Sequence, residues 1–266
     1  MNDLQHLQAV LLSIMKDIDA LCQKHGIQYY LLGGTAIGAI RHKGFIPWDD
    51  DLDIIMNNDN YQRFIAVCKE ELDPGKYALQ EGLKDWPMYF SKVRLLGTVF
   101  KETVEYTDDP KFQGIYIDVF KMDNVSSNKV VAMWQYLCGK TFLCYQLKSR
   151  SDIPASFSFG KRVAMALSFP LKVKAIRQFV QRQVEQFNGK PAEYLGFFYG
   201  RTRFRTSVVK KNIFGTPVRV PFEDTMLPVA EHYHEYLTQM FGDYMTPPPV
   251  EKQTCLHMAG IDFGQY

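Results

Sequence analysis

LLGGTAIGAIRHKGFIPWDDDLDIIM, residues 31–56, joins two signals that say little apart. The first is the turn Gly33-Gly34-Thr35, which follows the apolar run 29–32 and opens a small-residue segment, 36–40, of helical character. Glycines there let backbone N–H groups approach a phosphate, and a helix N-terminus behind them favours the anion. The second is Asp49-Asp50-Asp51-Leu52-Asp53, running into Ile54-Ile55-Met56. Side chains alternate along a strand, so Asp51 and Asp53 share one face and Leu52 and Ile54 the other. Asp49 joins the acids if the extended geometry reaches back to it. Like charges so close repel, and each resists ionisation beside the other. A divalent cation removes the conflict, because Mg²⁺ prefers hard oxygen ligands with positions left for water and phosphate. Such sites support in-line displacement at phosphorus. Alone, a Gly-Gly-Thr turn is ordinarily just a turn, and an Asp cluster a solvated loop or a cap. Their order makes them one phosphate-and-metal site: strand, turn, short helix, loop, acid-bearing strand. Gly33, Gly34 and Thr35 form its cradle, and Asp49, Asp51 and Asp53 its metal ligands.

Around this stretch the chain alternates helix and strand. Residues 3–25 repeat Leu4, Leu7, Val10, Leu11, Ile14, Ile18, Leu21 and Cys22 at spacings of three and four, which predicts an amphipathic helix stopped at Gly26. Residues 59–72 read as a second helix, capped by Asn58 or Asp59 and closed by Asp73-Pro74-Gly75. Strands are expected at 77–80 and 88–96, the second placing Lys92 and Arg94 on one face. That pair is either a phosphate clamp or the wet side of an edge strand. A strand at 112–120 carries Asp118 between Ile117 and Val119, where an ionised acid is costly to bury without a partner. A metal shared with the earlier acids supplies the partner; the plain alternative is a strand-end cap. Asp123, beyond the apolar run, reads as such a cap.

Residues 40–54, IRHKGFIPWDDDLDI, together with the Gly-Gly-Thr turn, resemble the nucleotidyltransferase superfamily and, within it, the LicD family of phosphocholine transferases, related to the fukutin-type sugar phosphotransferases. The likeness is long over residues 26–56 and patchy beyond. It implies an α/β (α+β) fold: a nucleotidyltransferase-like mixed-sheet core with helices over residues 1–124, then a mostly helical, aromatic-rich, acceptor-facing part over 125–266. It implies that Asp118 completes the catalytic set with Asp51 and Asp53, that Arg41, in a basic run that is otherwise an ordinary solvated one, contacts substrate, and that Lys92 and Arg94 form a clamp. The activity implied is Mg²⁺-dependent transfer of phosphocholine from CDP-choline to a hydroxyl of a teichoic acid or lipopolysaccharide precursor, releasing CMP. The residues themselves support metal-assisted transfer at phosphorus; choline follows from the resemblance alone. Ribitol phosphate, glycerol phosphate or a nucleotide suits the same core, and a non-catalytic relative would bind nucleotide without turnover.

Composition sets outer bounds. At 266 residues the chain makes one large domain, or one domain with an elaborate extension. Its net charge of +2 argues against a dedicated nucleic-acid binder. Five cysteines, an odd number without a CxxC pair, suit reduced thiols in a cytosolic compartment. The first residues carry acids and no basic leader, and no run reaches the roughly 18 uncharged apolar residues of a membrane span. The expected location is therefore the cytoplasm, including the inner face of its membrane. Residues 129–187 hold ten Lys and Arg against two acids, over helices expected at 128–150 and at 159–187, the latter broken near Pro170. Such helices either lie on anionic lipid or face a core with snorkelling lysines. Residues 197–222 predict short strands, with a hairpin over 211–220 turning at Gly215-Thr216-Pro217. His232 and His234, two apart in a helix, point to different faces and do not make a zinc site. The tail FGDYMTPPP, residues 241–249, with His257 after it, is a strap over the site or a plain terminus.

Overall fold

The computed structural model describes residues 2–86, 88–101, 109–149, 168–198, 200, 202–255 and 260–266. The N-terminal periodicity folds as α1 (Asp3–Lys24). Its first turn is closed reciprocally: Gln5 N–H donates to Asn2 Oδ1 at 2.8 Å, and Asn2 N–H to the Gln5 side chain at 3.1 Å. The opposite face buries Leu7, Leu11, Ile14, Met15 and Ile18, each worth about 2 kcal/mol of removed apolar surface.

The central sheet places β1 (Tyr30–Leu31), β2 (Asp53–Asn57), β6 (Tyr116–Val125), β4 (Ser91–Leu95) and β3 (Tyr77–Gln80) side by side in that order. β2 and β6 run parallel; the other pairs are antiparallel. A parallel pair needs a crossover, supplied by α3 (Asn58–Glu71) and the β3–β4 hairpin. Asn57 ends β2 and caps α3 through Oδ1, which accepts from Asn60 N–H at 2.9 Å. The cap thus lies one residue before the expected Asn58 or Asp59, leaving no loop between strand and helix. β7 (Tyr194–Gly196) continues the sheet beside the end of β6, and β8 (Val208–Lys210) pairs with β7.

Two expectations change. β6 runs five residues past the expected end at 120, so Asp123 is buried in the strand and is no cap. Lys121 makes this tolerable: its Nζ lies 3.1 Å from Asp123 and 2.6 Å from Glu185, and Asn188 donates to Asp123 at 2.7 Å. The late hairpin also shifts. Residues Lys211–Phe214 form a helical turn, and the hairpin is β9 (Val218–Phe222) with β10 (Thr225–Val229). Its turn is anchored at Glu223, whose N–H donates to Lys43 O at 2.7 Å and whose Oε1 accepts from Phe45 N–H at 2.9 Å.

α4 (Lys129–Ser149) forms as expected. Residues 150–167, which hold the last residue of the expected 128–150 helix and the first part of the expected 159–187 helix, lie outside the described residues, as does His257. A 3₁₀ turn at Phe169–Lys172 spans Pro170 and leads into the helix Lys174–Glu185. The main core joins Leu31, Ile54 and Val119 to Leu195, Phe214, Leu227 and Tyr236. Position 124, where composition changes, therefore falls inside β6, and one core extends across it. Among the described residues no helix is long and apolar enough to cross a membrane.

Candidate active site

Three hydrogen bonds from backbone amides assemble the site, two to backbone carbonyls and one to the Thr35 hydroxyl. Leu32 N–H donates to Asp53 O at 3.0 Å, Asp53 N–H to Thr35 Oγ1 at 3.0 Å, and Asp118 N–H to Leu52 O at 3.2 Å. Register does the rest: Asp53 on β2 stands opposite Asp118 on β6, which stands opposite Lys92 on β4, which stands opposite Gln80 on β3. Residues directly opposite share a face, so two acids and one lysine line a single rung across three strands. Asp49 and Asp51 approach from the loop before β2, close enough to raise the proton affinity of Asp53.

The turn lies where a phosphate cradle requires it. Gly33 takes a left-handed φ of +57° at the start of α2 (Gly33–Arg41), three residues earlier than the helical character expected from residue 36. Leu32 precedes the helix without a side-chain cap, so the first amide donors of α2 are not taken by a capping side chain. Gly34 leaves room for the neighbouring acid: a Cβ there would lie 2.9 Å from Asp49 Oδ2, so the carboxylate would have to move. Thr35 plays a different part from the one its position in the turn suggests. It is buried, and its hydroxyl receives the Asp53 amide, so it positions the acid strand. We expect Gly34→Ala to displace the Asp49 carboxylate and to lower turnover about tenfold or more, with folding retained; steady-state kinetics beside a thermal melt check this.

The acids are electrostatically strained. Burial pushes the Asp53 carboxyl well above its ordinary range, with Asp51, Asp118 and Asp49 adding to the shift and Lys92 opposing it. Burial, then Asp51 and Asp50, pushes Asp49 up to about 8. Asp53 Oδ1 is sealed from solvent and accepts no hydrogen bond among the described residues. A sealed carboxylate oxygen without a donor is costly in an apoprotein and natural in a cation site. Among the described residues no group of three His, Cys, Asp or Glu side chains is placed to hold a metal ion together. Mg²⁺ does not need such a group, since it commonly takes one or two protein carboxylates and fills its octahedron with water and substrate phosphate. The acid set therefore fits Mg²⁺ held jointly with a substrate.

Lys92 is almost fully buried, with Nζ 3.6 Å from Asp118 Oδ1 and 3.2 Å from the centroid of the Tyr116 ring; Trp86 lies on another side at 5.1 Å. Arg94 shares its face but belongs to the next rung, opposite Tyr116. Its Nε donates to Gln80 at 2.8 Å and its NH1 to Gly114 O at 2.9 Å. Lys92 stands at the acids and Arg94 braces the sheet, and both cations lie over the Tyr116 ring, Nζ at 3.2 Å and the guanidinium carbon at 4.7 Å from its centroid. Arg41, at the end of α2, donates through NH1 to Tyr244 O at 2.8 Å and through Nε to His42 at 2.9 Å, tying the tail to the end of α2. Cys255 makes a second tie, with Sγ 2.9 Å from the buried Asp50. Tyr236 was not suggested by any motif. Its buried hydroxyl reaches toward the Gly33 backbone without hydrogen-bond geometry, and burial holds it protonated. A cavity of about 600 Å³ lies four residues along β2 from Asp53, lined by Tyr30, Asn57, Met122 and Phe214. It is displaced from the acids.

The model of the LicD/FKTN/FKRP nucleotidyltransferase domain matches residues 26–152, which include every acid of the rung and the turn. The lipopolysaccharide cholinephosphotransferase LicD of Haemophilus influenzae is 32% identical over 261 residues, covering 96% of each chain. Shorter matches join the chain to uncharacterized proteins of Rickettsia typhi, 44% identical over 63 residues, and Rickettsia prowazekii, 52% identical over 79 residues. Each of these covers 23% of this chain, and 20% and 30% of the respective relative.

Proposed function

This chain belongs to the LicD family, and from that premise we propose that it transfers phosphocholine from CDP-choline to a hydroxyl of a cell-surface glycan precursor, of the lipopolysaccharide or teichoic acid type. The observation that carries the reading is the rung Asp53–Asp118–Lys92 beside an amide-lined turn, in a chain similar along nearly its whole length to a cholinephosphotransferase. Asp51 and Asp53, with Asp49 and Asp118, are the residues that would hold Mg²⁺, which when bound offsets the negative charge of the diphosphate and of the departing CMP.

The residues divide the remaining work. Gly33 and Gly34 present backbone amides to a donor phosphate at the positive end of α2. Thr35 keeps Asp53 in register through its hydroxyl. Asp118 accepts the proton of the attacking hydroxyl, whose oxygen bonds to the choline-bearing phosphorus as the bond from that phosphorus to the CMP oxygen breaks. Lys92 supplies a fixed positive charge behind Asp118. Positioning and fixed charges carry most of phosphoryl-transfer catalysis, and they are what this rung provides.

The test is CMP release from CDP-choline, CDP-ribitol and CDP-glycerol, each with Mg²⁺ and a crude glycolipid acceptor. We expect CDP-choline to be turned over at least tenfold faster than either polyol donor. Preference for a polyol donor would retain the phosphotransferase and remove choline. Metal-dependent nucleotide binding without turnover of any donor would make the protein a non-catalytic member of the family.

A further inference from the structure

The two long helices after β6 carry a surface that the core does not use. α4 turns Val130, Met133, Trp134 and Leu137 outward at i, i+3, i+4 and i+7, a single apolar stripe on which Val130 is 80% exposed. The helix Lys174–Glu185 turns Ile176 and Phe179 outward, the latter 56% exposed. The stripes adjoin. Trp134 Nε1 donates to Gln183 Oε1 at 3.2 Å, and Gln183 stands one turn from Phe179 and two turns from Ile176 on the same flank. Phe169 and Val173, both more than half exposed, extend the patch from the turn before the second helix. Single exposed apolar residues are ordinary on a surface, whereas a joined group of this size marks an interaction site.

Charge identifies the occupant. Lys129, Lys172, Lys174, Arg182 and Lys190 are exposed on the same two helices and their flanks. The one acid within the described parts of 129–190, Glu185, faces inward, where its carboxylate meets Lys121 at 2.6 Å and the Tyr89 hydroxyl at 2.5 Å. An apolar band bordered by these cations, with no exposed acid among the described residues of 129–190, matches a layer of anionic headgroups over acyl chains.

We propose that this face docks the protein on an anionic lipid surface, with Trp134, Leu137 and Phe179 entering the headgroup boundary and the lysines meeting lipid phosphates. The docking is peripheral and independent of the acid rung, so its failure and the failure of the phosphocholine reading are separable.

The experiment is flotation of the full chain with phosphatidylglycerol-containing vesicles and with pure phosphatidylcholine vesicles, alongside tryptophan fluorescence. Partition into the anionic vesicles is expected to be at least tenfold the stronger, with a shift of emission to shorter wavelength that Trp134→Phe removes. The paired changes Leu137→Glu with Phe179→Glu, and separately Lys172→Glu with Lys174→Glu, are expected to weaken partition about tenfold or more while leaving the thermal melt unchanged. Absence of binding to anionic vesicles, or binding that neither pair weakens, overturns the proposal. So does self-association in the ultracentrifuge that Leu137→Glu with Phe179→Glu abolishes, because a second copy of the chain would then be the occupant.

Discussion

Asp53→Asn is expected to abolish measurable phosphotransfer and to make the metal-free protein more resistant to heat. The two effects have one cause. Asp53 sits in the rung with a sealed, unbonded Oδ1, and burial together with Asp51, Asp118 and Asp49 resists its ionisation. Replacing the carboxylate with a neutral amide of the same shape relieves that repulsion but removes a metal ligand and a charge aimed at the reacting phosphate. Loss of turnover on the order of 10³-fold is expected, with a rise in Tm of roughly 2–4 °C for each kcal/mol of relieved repulsion. The sign with pH agrees. Asp49, pushed from 3.8 to about 8, binds its proton more tightly folded than unfolded, so the metal-free protein loses stability as pH rises through that window. Melts in chelator from pH 5 to pH 9, with wild type and Asp53→Asn in parallel, test both statements. Unchanged activity in the variant would remove Asp53 from the catalytic set, and a lower Tm would remove the argument from repulsion.

Lys92→Met is expected to cost about 3–5 kcal/mol of folding stability as well as activity. The ammonium is nearly sealed from water beside Asp118 and over the Tyr116 ring, and it opposes the combined push of the acids on Asp53. Methionine fills the volume but removes the cation that opposes the combined push of the acids on Asp53. Adding Asp118→Asn to Lys92→Met should restore part of the lost stability, giving a coupling of 1 kcal/mol or more in a double-mutant cycle, about the size seen for contacting charged groups. Urea melts of the four proteins decide it. Additive effects would mean that Lys92 stabilises the sheet through its aromatic neighbours alone.

The parts of this site that can be read from the chain are those that depend on nearby residues. Spacing alone brings Asp51 near Asp53, although Asp51 lies in the loop before β2 and not on the strand, and an acid between Ile117 and Val119 announces a partly buried carboxylate in need of a partner. The rest depends on register across strands far apart in sequence. Lys92 and Arg94 look equivalent, two residues apart on one face, yet pairing with β6 puts Lys92 opposite Asp118 and Arg94 opposite Tyr116. Thr35 looks like part of a phosphate turn until its hydroxyl is found on the Asp53 amide. Tyr236 is invisible because it reaches Gly33 across two hundred residues of chain. The late hairpin was misplaced for a related reason. Gly215-Thr216-Pro217 is the stronger local turn signal, but Glu223 is held by Lys43 and Phe45 from the other half of the molecule. Asp123 was misread because a partner 62 residues on, Glu185, helps hold the lysine that neutralises it.

The parallel pairing of β2 with β6 has a consequence for protein engineering. Asp53 and Asp118 are held at neighbouring-strand spacing by the sheet ladder, while everything from α3 to the end of the β4–β6 connection is looped out between them. α3 and the loops of that excursion can vary without separating this pair, but β4 cannot, because it pairs with β6 and brings Lys92 to Asp118. Loop segments there can be exchanged between relatives to seek new acceptors, while the backbones of the two acid-bearing strands keep the spacing of a hydrogen-bonded pair, about 4.8 Å.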